Sequence, residues 1–253
     1  MLKITLWVVV MGFFLSGQAA AFMSDDKIAL YQRVTKGWPV GDRVAFWAEQ
    51  FLDTPYDPDP LGIYVRNKTI ISDEKVDCMY LTFRSVELAL APSPLKSVEL
   101  ALAKRFRGTG VVEGDRVMNY SDRFEYGEDM IESGKWGREI TAELGRTDPV
   151  KGSRGREMVM IIPRRDIMRH AERFRSGDII FFVRSPHKRV SDEIIGHIGI
   201  IKKESEAVSL VHASGLKNKG GKVSKTLLAD YIKTMPFIGI RATRFEEQDL
   251  MPE

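Results

Sequence analysis

Two neighbouring stretches decide how this chain folds: Ile195-Gly196-His197-Ile198-Gly199-Ile200-Ile201 and Val208-Ser209-Leu210-Val211-His212-Ala213. Each is rich in β-branched residues, and successive side chains of a strand point to opposite faces. Ile195, His197, Gly199 and Ile201 therefore share one face, and Val208, Leu210 and His212 share one face of the next strand. A polar turn, residues 202–206, separates them. Pairing as a hairpin about Glu204-Ser205 sets His197 directly opposite His212 on a common face. Two histidines among Ile, Val and Leu need a reason. Either they are separate core histidines satisfied by the backbone, or they belong to a site.

Working outward, further strands are expected at residues 157–162, 178–183 and 237–243, with helices near 165–174 and 225–235. Upstream, residues 24–34 and 42–52 read as short helices, the second with Val44, Trp47, Ala48 and Phe51 at helical spacing. Residues 53–62 are rich in Pro and Asp and cannot continue a helix. A helix starts at Cys78, carries Phe83, Val86 and Leu90 on one stripe, and stops at Pro92 and Pro94. Helices first and strands later indicate an α+β fold with a mainly antiparallel sheet. The sequence S-V-E-L-A-L-A occurs twice, at 85–91 and 97–103, which is too short for a repeat architecture and reads as a local duplication. Residues 108–155 show weak periodicity and read as loops with a short helix near 129–133.

The 253 residues are 43% hydrophobic, enough to bury a real core. With 38 Lys plus Arg against 35 Asp plus Glu, the net charge of +3 gives no reason to expect nucleic acid as a partner. Lys3, the apolar run 4–15 and the small residues ending in Ala19-Ala20-Ala21 form a secretory signal, residues 1–21. The run is too short to span a bilayer, which takes about 20 apolar residues. The expected mature chain is thus residues 22–253, a single domain with an inserted segment around 92–155, exported to the periplasm or secreted, and without a stable membrane anchor.

A single cysteine, Cys78, cannot be half of an internal disulfide in that compartment. It is either a small buried hydrophobe or a nucleophile. Cys78 follows Val76-Asp77 at a helix start, where free N–H groups and the helix dipole favour a thiolate and face a developing oxyanion. His197 can take the thiol proton, and His212 can orient His197.

Thr54-Pro55-Tyr56, Asp77-Cys78, the run Gly177-Asp178-Ile179-Ile180-Phe181-Phe182, Gly196-His197-Ile198-Gly199-Ile200 and Val211-His212-Ala213 together resemble the successive motifs of the NlpC-type cell-wall cysteine hydrolases, a papain-like superfamily. The segment 119–126 and residues 159–244 resemble, more narrowly, a bacterial branch of N-acetylmuramoyl-L-alanine amidase-like proteins. The resemblance covers most of the mature chain. It implies a papain-like fold, a nucleophile-bearing helix packed on the sheet, and an N-terminal helical elaboration. It implies Cys78 as nucleophile, His197 as base, His212 as the orienting residue, and Tyr56 near the oxyanion. No cofactor or metal is implied, and peptidoglycan or a muropeptide is the substrate. The Gly177-Asp178 turn is structural in this reading. One departure is Glu125, where the branch often has a histidine.

Other readings stay open at this stage. Cys78, His197 and His212 could hold zinc with one open position, in which case a chelator, not a thiol alkylator, would stop activity. Lipid-directed relatives in the superfamily act on acyl groups, although in the circularly permuted ones the His motif precedes the Cys. A binding module without catalysis would retain the fold alone. Within the amidase reading, a peptide bond further along the stem is the alternative to the muramoyl–alanine bond. The basic run 154–175 reads as a largely solvated helix face. His170 and His187 read as surface residues.

Overall fold

The structure, a computed structural model, describes residues 23–216 and 220–252. The expected export signal, residues 1–21, lies outside the described residues. Five helices come first: α1 (Asp25–Thr35), α2 (Val40–Gln50), α3 (Ile63–Asn67), α4 (Cys78–Leu90) and α5 (Pro94–Lys104). A small hairpin, β1 (Val112–Glu113) and β2 (Arg116–Val117), leads to α6 (Gly127–Ser133), β3 (Arg138–Glu139), α7 (Thr141–Leu144), β4 (Asp148–Lys151) and β5 (Met158–Pro163). The rest is β6 (Ile179–Val183), β7 (Ile195–Glu204), β8 (Ala207–Leu216), β9 (Gly220–Leu227), α8 (Leu228–Thr234) and β10 (Gly239–Arg244).

The large sheet is eight-stranded, in the order β4-β5-β10-β6-β7-β8-β9 with β3 added beside β10. Every ladder in it is antiparallel. The fold is α+β, as the order of helices and strands implies. Alternation along the strands divides the core in two. Ile179, Phe181, Val183, Ile198, Ile200, Val211 and Ala213 join the residues of α1, α2 and α4 in one cluster. Ile180, Phe182, Ile201, Leu210 and Ile240 join α7, α8 and Ile167 in the other.

Helix α4 is the central helix, with Tyr80 to Leu90 buried without a break. Asp77 caps its start, the carboxylate accepting from Tyr80 N at 2.6 Å. A helix buried all round must also satisfy its polar side chains. Glu87 accepts from Nε and Nη2 of Arg105, at 2.6 and 2.7 Å. Arg84 lies between Asp73 (3.0 Å) and Glu87 (3.4 Å). Tyr80 OH donates to Asp73 at 2.7 Å, and the Arg105 guanidinium lies 4.9 Å from the Tyr80 ring centre. Helix α5 begins cleanly at Ser93, whose hydroxyl accepts from Lys96 N, followed by Pro94 in the first turn.

Several expectations need correction. The hairpin turn is Ser205-Glu206, with Ser205 at φ 53°, and the ladder runs from Ile200↔Val211 to Glu204↔Ala207. The turn is one residue later than expected, so His197 and His212 are diagonal neighbours and do not oppose each other directly. A slip of two places keeps side chains on their faces, where a slip of one would have reversed them. Residues 225–227 extend β9 instead of opening a helix, because Ser209↔Leu227 and Val211↔Lys225 pair across β8. The helix expected near 165–174 is present as a 3-10 helix over residues 164–173, interrupted at His170. That histidine is half-buried rather than on the surface. The middle of the chain supplies β1 to β4, which weak periodicity had concealed; strands of two to four residues are too short to show alternation.

Candidate active site

Residues 54–57 form a strap between β9 and the approach to α4. On one side Tyr56 N donates to Gly221 O (2.9 Å) and Val223 N to Thr54 O (2.9 Å). On the other, Val76 N donates to Pro55 O (3.1 Å) and Asp57 N to Val76 O (3.0 Å). Asp57, 4% exposed, then accepts from Ile63 N at 2.6 Å and Asp59 N at 3.0 Å and turns the chain away. Two residues after Val76 comes Cys78. The strap thereby brings Tyr56 beside the thiol. A side chain at position 215 would meet the Tyr56 ring at 2.5 Å, so Gly215 of β8 is what lets the ring lie there.

Cys78 is half-buried and free. Burial pushes its thiol up to about 12, helped by the Asp77 carboxylate, while hydrogen bonding from the N–H groups of Ile198, Cys78 and Met79 works the other way. The Ile198 N–H places the sulfur at the strand position next to His197. Burial also raises the Tyr56 phenol to about 12, with Cys78, Asp77 and Asp57 adding to it. Tyr56 is therefore a hydrogen-bond donor at any physiological pH. Asp77 itself is raised to about 6, mainly by burial, against the pull of its hydrogen bond from Tyr80 N.

His197 Nε2 and His212 Nδ1 lie 2.9 Å apart, their rings nearly perpendicular at 87°. The His197 ring stacks on Phe237 (4° between planes, centroids 6.2 Å apart) and lies 5.8 Å from Phe182. Burial lowers His197 to about 3, with His212 and Arg184 contributing, and burial alone lowers His212 to about 4. Both imidazoles are neutral at pH 7, so one proton occupies the space between the facing nitrogens. When His197 carries it on Nε2, its Nδ1 lone pair is the free basic site.

The structure thus gathers Cys78, Tyr56 and Asp77 at the head of α4, and bonds His197 to His212 on the adjoining strands. Three contributors had escaped the sequence reading. Tyr231 of α8 packs edge-on to His212 (4.9 Å), lies 6.0 Å from the His197 ring, and is electrostatically coupled to Cys78. Ser224, the cross-strand partner of His212, sets its Oγ 3.5 Å from His212 Nε2. Phe237 supplies the stacking surface for His197. None sits in a motif; each arrives through the fold. Glu125 is exposed and ion-paired with Arg123 at 3.0 Å. Asp178 is buried, holding Arg244 at 2.6 and 2.7 Å and the N–H of Arg175 at 2.9 Å, a structural part. Much of the basic run is engaged within the chain: Arg154 covers Tyr126 at 3.6 Å and pairs with Glu128, Arg156 pairs with Asp129, and Arg165 pairs with Asp148. Among the described residues no three His, Cys, Asp or Glu side chains group closely enough to hold a metal ion, and the facing histidine nitrogens are directed at each other.

No protein-family model matches the chain, and no curated protein does. Solved structures do. An N-acetylmuramoyl-L-alanine amidase from Bacteroides uniformis superposes with a TM-score of 0.62 at 21% identity, covering 82% of this chain and 99% of its own. A Legionella pneumophila protein of family DUF1460 gives 0.66 at 15% identity, covering 86% and 93%. A Bacteroides fragilis protein carrying the name xylanase gives 0.60 at 20%, covering 78% and 98%. The names differ and the identities are low, so what is shared is the fold.

Proposed function

We propose that this chain is an exported, NlpC-type cysteine amidase that cuts peptidoglycan at the bond between N-acetylmuramic acid and L-alanine. The observation that carries the reading is the meeting of a thiol at the first turn of α4 with the strand bearing His197, itself bonded to His212 at 2.9 Å. The amidase name of the Bacteroides uniformis structure agrees with it.

The chemistry follows from the protonation states. With the thiol raised to about 12 and the imidazole lowered to about 3, a resting thiolate–imidazolium pair is not populated. The proton passes from sulfur to His197 Nδ1 as the sulfur–carbon bond forms at the amide carbonyl. His212 accepts the Nε2–H of His197 and shares the charge. The oxyanion meets the Cys78 N–H and the Tyr56 hydroxyl. Collapse returns the proton to the departing amine of L-alanine and leaves a thioester on Cys78, which water, activated by His197, then hydrolyses.

The test is mass spectrometry of defined muropeptides incubated with residues 22–253 and with its Cys78→Ala variant. Release of the intact stem peptide by the cysteine form alone is expected. A shortened stem would move the cut to a peptide bond within the stem, and unchanged muropeptides would remove the cell-wall reading.

A further inference from the structure

The two facing histidines hold one proton between them, and which ring owns it decides what His197 can do. The contact runs from His197 Nε2 to His212 Nδ1, 2.9 Å, with both rings neutral at pH 7. In one arrangement His197 donates from Nε2, its Nδ1 is a bare lone pair, and the proton of His212 must sit on Nε2. In the other, His212 donates from Nδ1, its own Nε2 is bare, and His197 carries its proton on Nδ1, where it cannot take a second. Only the first arrangement makes His197 a base.

Both ends of this string bear on the choice. At the thiol end, the sulfur already receives the N–H groups of Ile198, Cys78 and Met79. A sulfur so supplied is better served by an acceptor on His197 than by a further donor. At the far end, His212 is 4% exposed, and a buried ring N–H without an acceptor is costly. The atom that the fold sets there is Ser224 Oγ, 3.5 Å from His212 Nε2.

The backbone fixes that placement. His212 and Ser224 are direct cross-strand partners in a ladder that also pairs Val211↔Lys225 and Ala213↔Val223. Strand β9 is held in turn by the strap, where Val223 N donates to Thr54 O at 2.9 Å and Asp53 N to Val223 O at 3.0 Å. The His212 ring is kept in place by Tyr231, edge-on at 4.9 Å. Ser224 is half-buried, so its own O–H can turn to solvent while its lone pairs face the imidazole. A hydroxyl can donate as well as accept; the thiol end sets the direction of the string and Ser224 completes it.

We propose that Ser224 is a positioning residue whose Oγ accepts the Nε2–H of His212 and so holds both imidazoles in the tautomer that leaves His197 Nδ1 unprotonated. The contact tightens as charge reaches the histidine pair. Its part in catalysis rests on the amidase reading; the tautomer itself does not.

The test therefore separates the two. Long-range proton–nitrogen NMR of the imidazoles in residues 22–253 reads the tautomers without any substrate. Labelling of Cys78, the single cysteine, by iodoacetamide reads the thiol without assuming a natural substrate, and kcat on muropeptides reads catalysis. Both rings should carry their proton on Nε2 in the parent and in Ser224→Thr, which keeps the hydroxyl. In Ser224→Ala an Nδ1–H form of His212 should appear, and labelling should slow about tenfold, the scale of one buried donor left without its partner. On the amidase reading kcat should fall by a like factor with KM unchanged, and Ser224→Thr should stay near the parent. An Nδ1–H form of His212 in the parent, an unchanged tautomer in Ser224→Ala, or labelling as slow in Ser224→Thr as in Ser224→Ala would each overturn the proposal. Muropeptides left intact by the parent, with tautomers and labelling as expected, would sink the amidase reading alone and support the assignment of Ser224.

Discussion

The two copies of S-V-E-L-A-L-A share every residue and almost nothing of their surroundings. In α4 the copy at 85–91 is buried throughout; in α5 the copy at 97–103 buries only Ser97, Leu100 and Ala101. The sharpest contrast is the glutamate. Glu87 has a fully buried side chain and holds Arg105 with both oxygens, whereas Glu99 is 47% exposed and reaches Lys96 one turn back. An identical heptapeptide is thus a core element in one place and an amphipathic cover in the other. Position in the fold decides which, since helix propensity is the same for both. A second contrast runs along α4 itself. Its middle keeps buried charges because each has a geometrically matched partner, and its head holds a thiol and a phenol, Cys78 and Tyr56, that burial keeps in their neutral forms.

The strongest way to break the first contrast is Glu87→Gln. It leaves Arg105, 1% exposed, without a carboxylate, and stability measured by urea unfolding should fall by about 3–5 kcal/mol. A small loss would show that the buried network is dispensable. The second contrast is sharpened by Tyr56→Phe, which removes a hydroxyl beside Cys78 and no packing. On the amidase reading kcat should drop about 10²-fold with the melting temperature unchanged, and an unaltered kcat would exclude Tyr56 from the oxyanion.

Next in size is the pH dependence of stability. His197 and His212 have folded values near 3 and 4 against an unfolded value near 6.5. Between these limits the unfolded chain binds more protons, so their contribution is complete above pH 6.5 and is lost as pH falls towards 4 and 3. Asp77, raised to about 6, has the opposite sign: its contribution is present below its unfolded value and is lost as pH rises through 6. Two histidines outweigh one aspartate, and the melting temperature should fall by roughly 3–6 °C from pH 7 to pH 5. His212→Asn should flatten that slope; an equal slope in the variant would assign it elsewhere. The smallest expected effect is Glu99→Gln, within about 0.5 kcal/mol of the parent in the same urea assay.

The sequence carried the two core halves of the fold well, because β6, β7, β8 and β10 are long enough for alternation to show and α4 has a cap, a stripe and a proline stop. Cys78, His197 and His212 were visible for the same reason: each sits in an element whose periodicity is strong. The hairpin register was misread by two places, since several polar residues could serve as the turn and only Ser205 adopts positive φ. Face assignment survived because two is the strand period. Tyr231, Ser224 and Phe237 were not legible. Their role depends on how α8 and β9 close over β8, and residues 225–227 had been given to a helix.

The strap at 54–57 has a consequence for solubility. An antiparallel sheet has two edges, and an open edge invites pairing with another chain. Here one edge strand, β9, has its outer groups at Gly221 and Val223 taken by Asp53, Thr54 and Tyr56, while the other, β4, carries Pro149 and Lys151. The segment that seats a phenol beside the thiol is thus also a guard against intermolecular strand addition. Loosening it would cost the chain its colloidal stability along with its site.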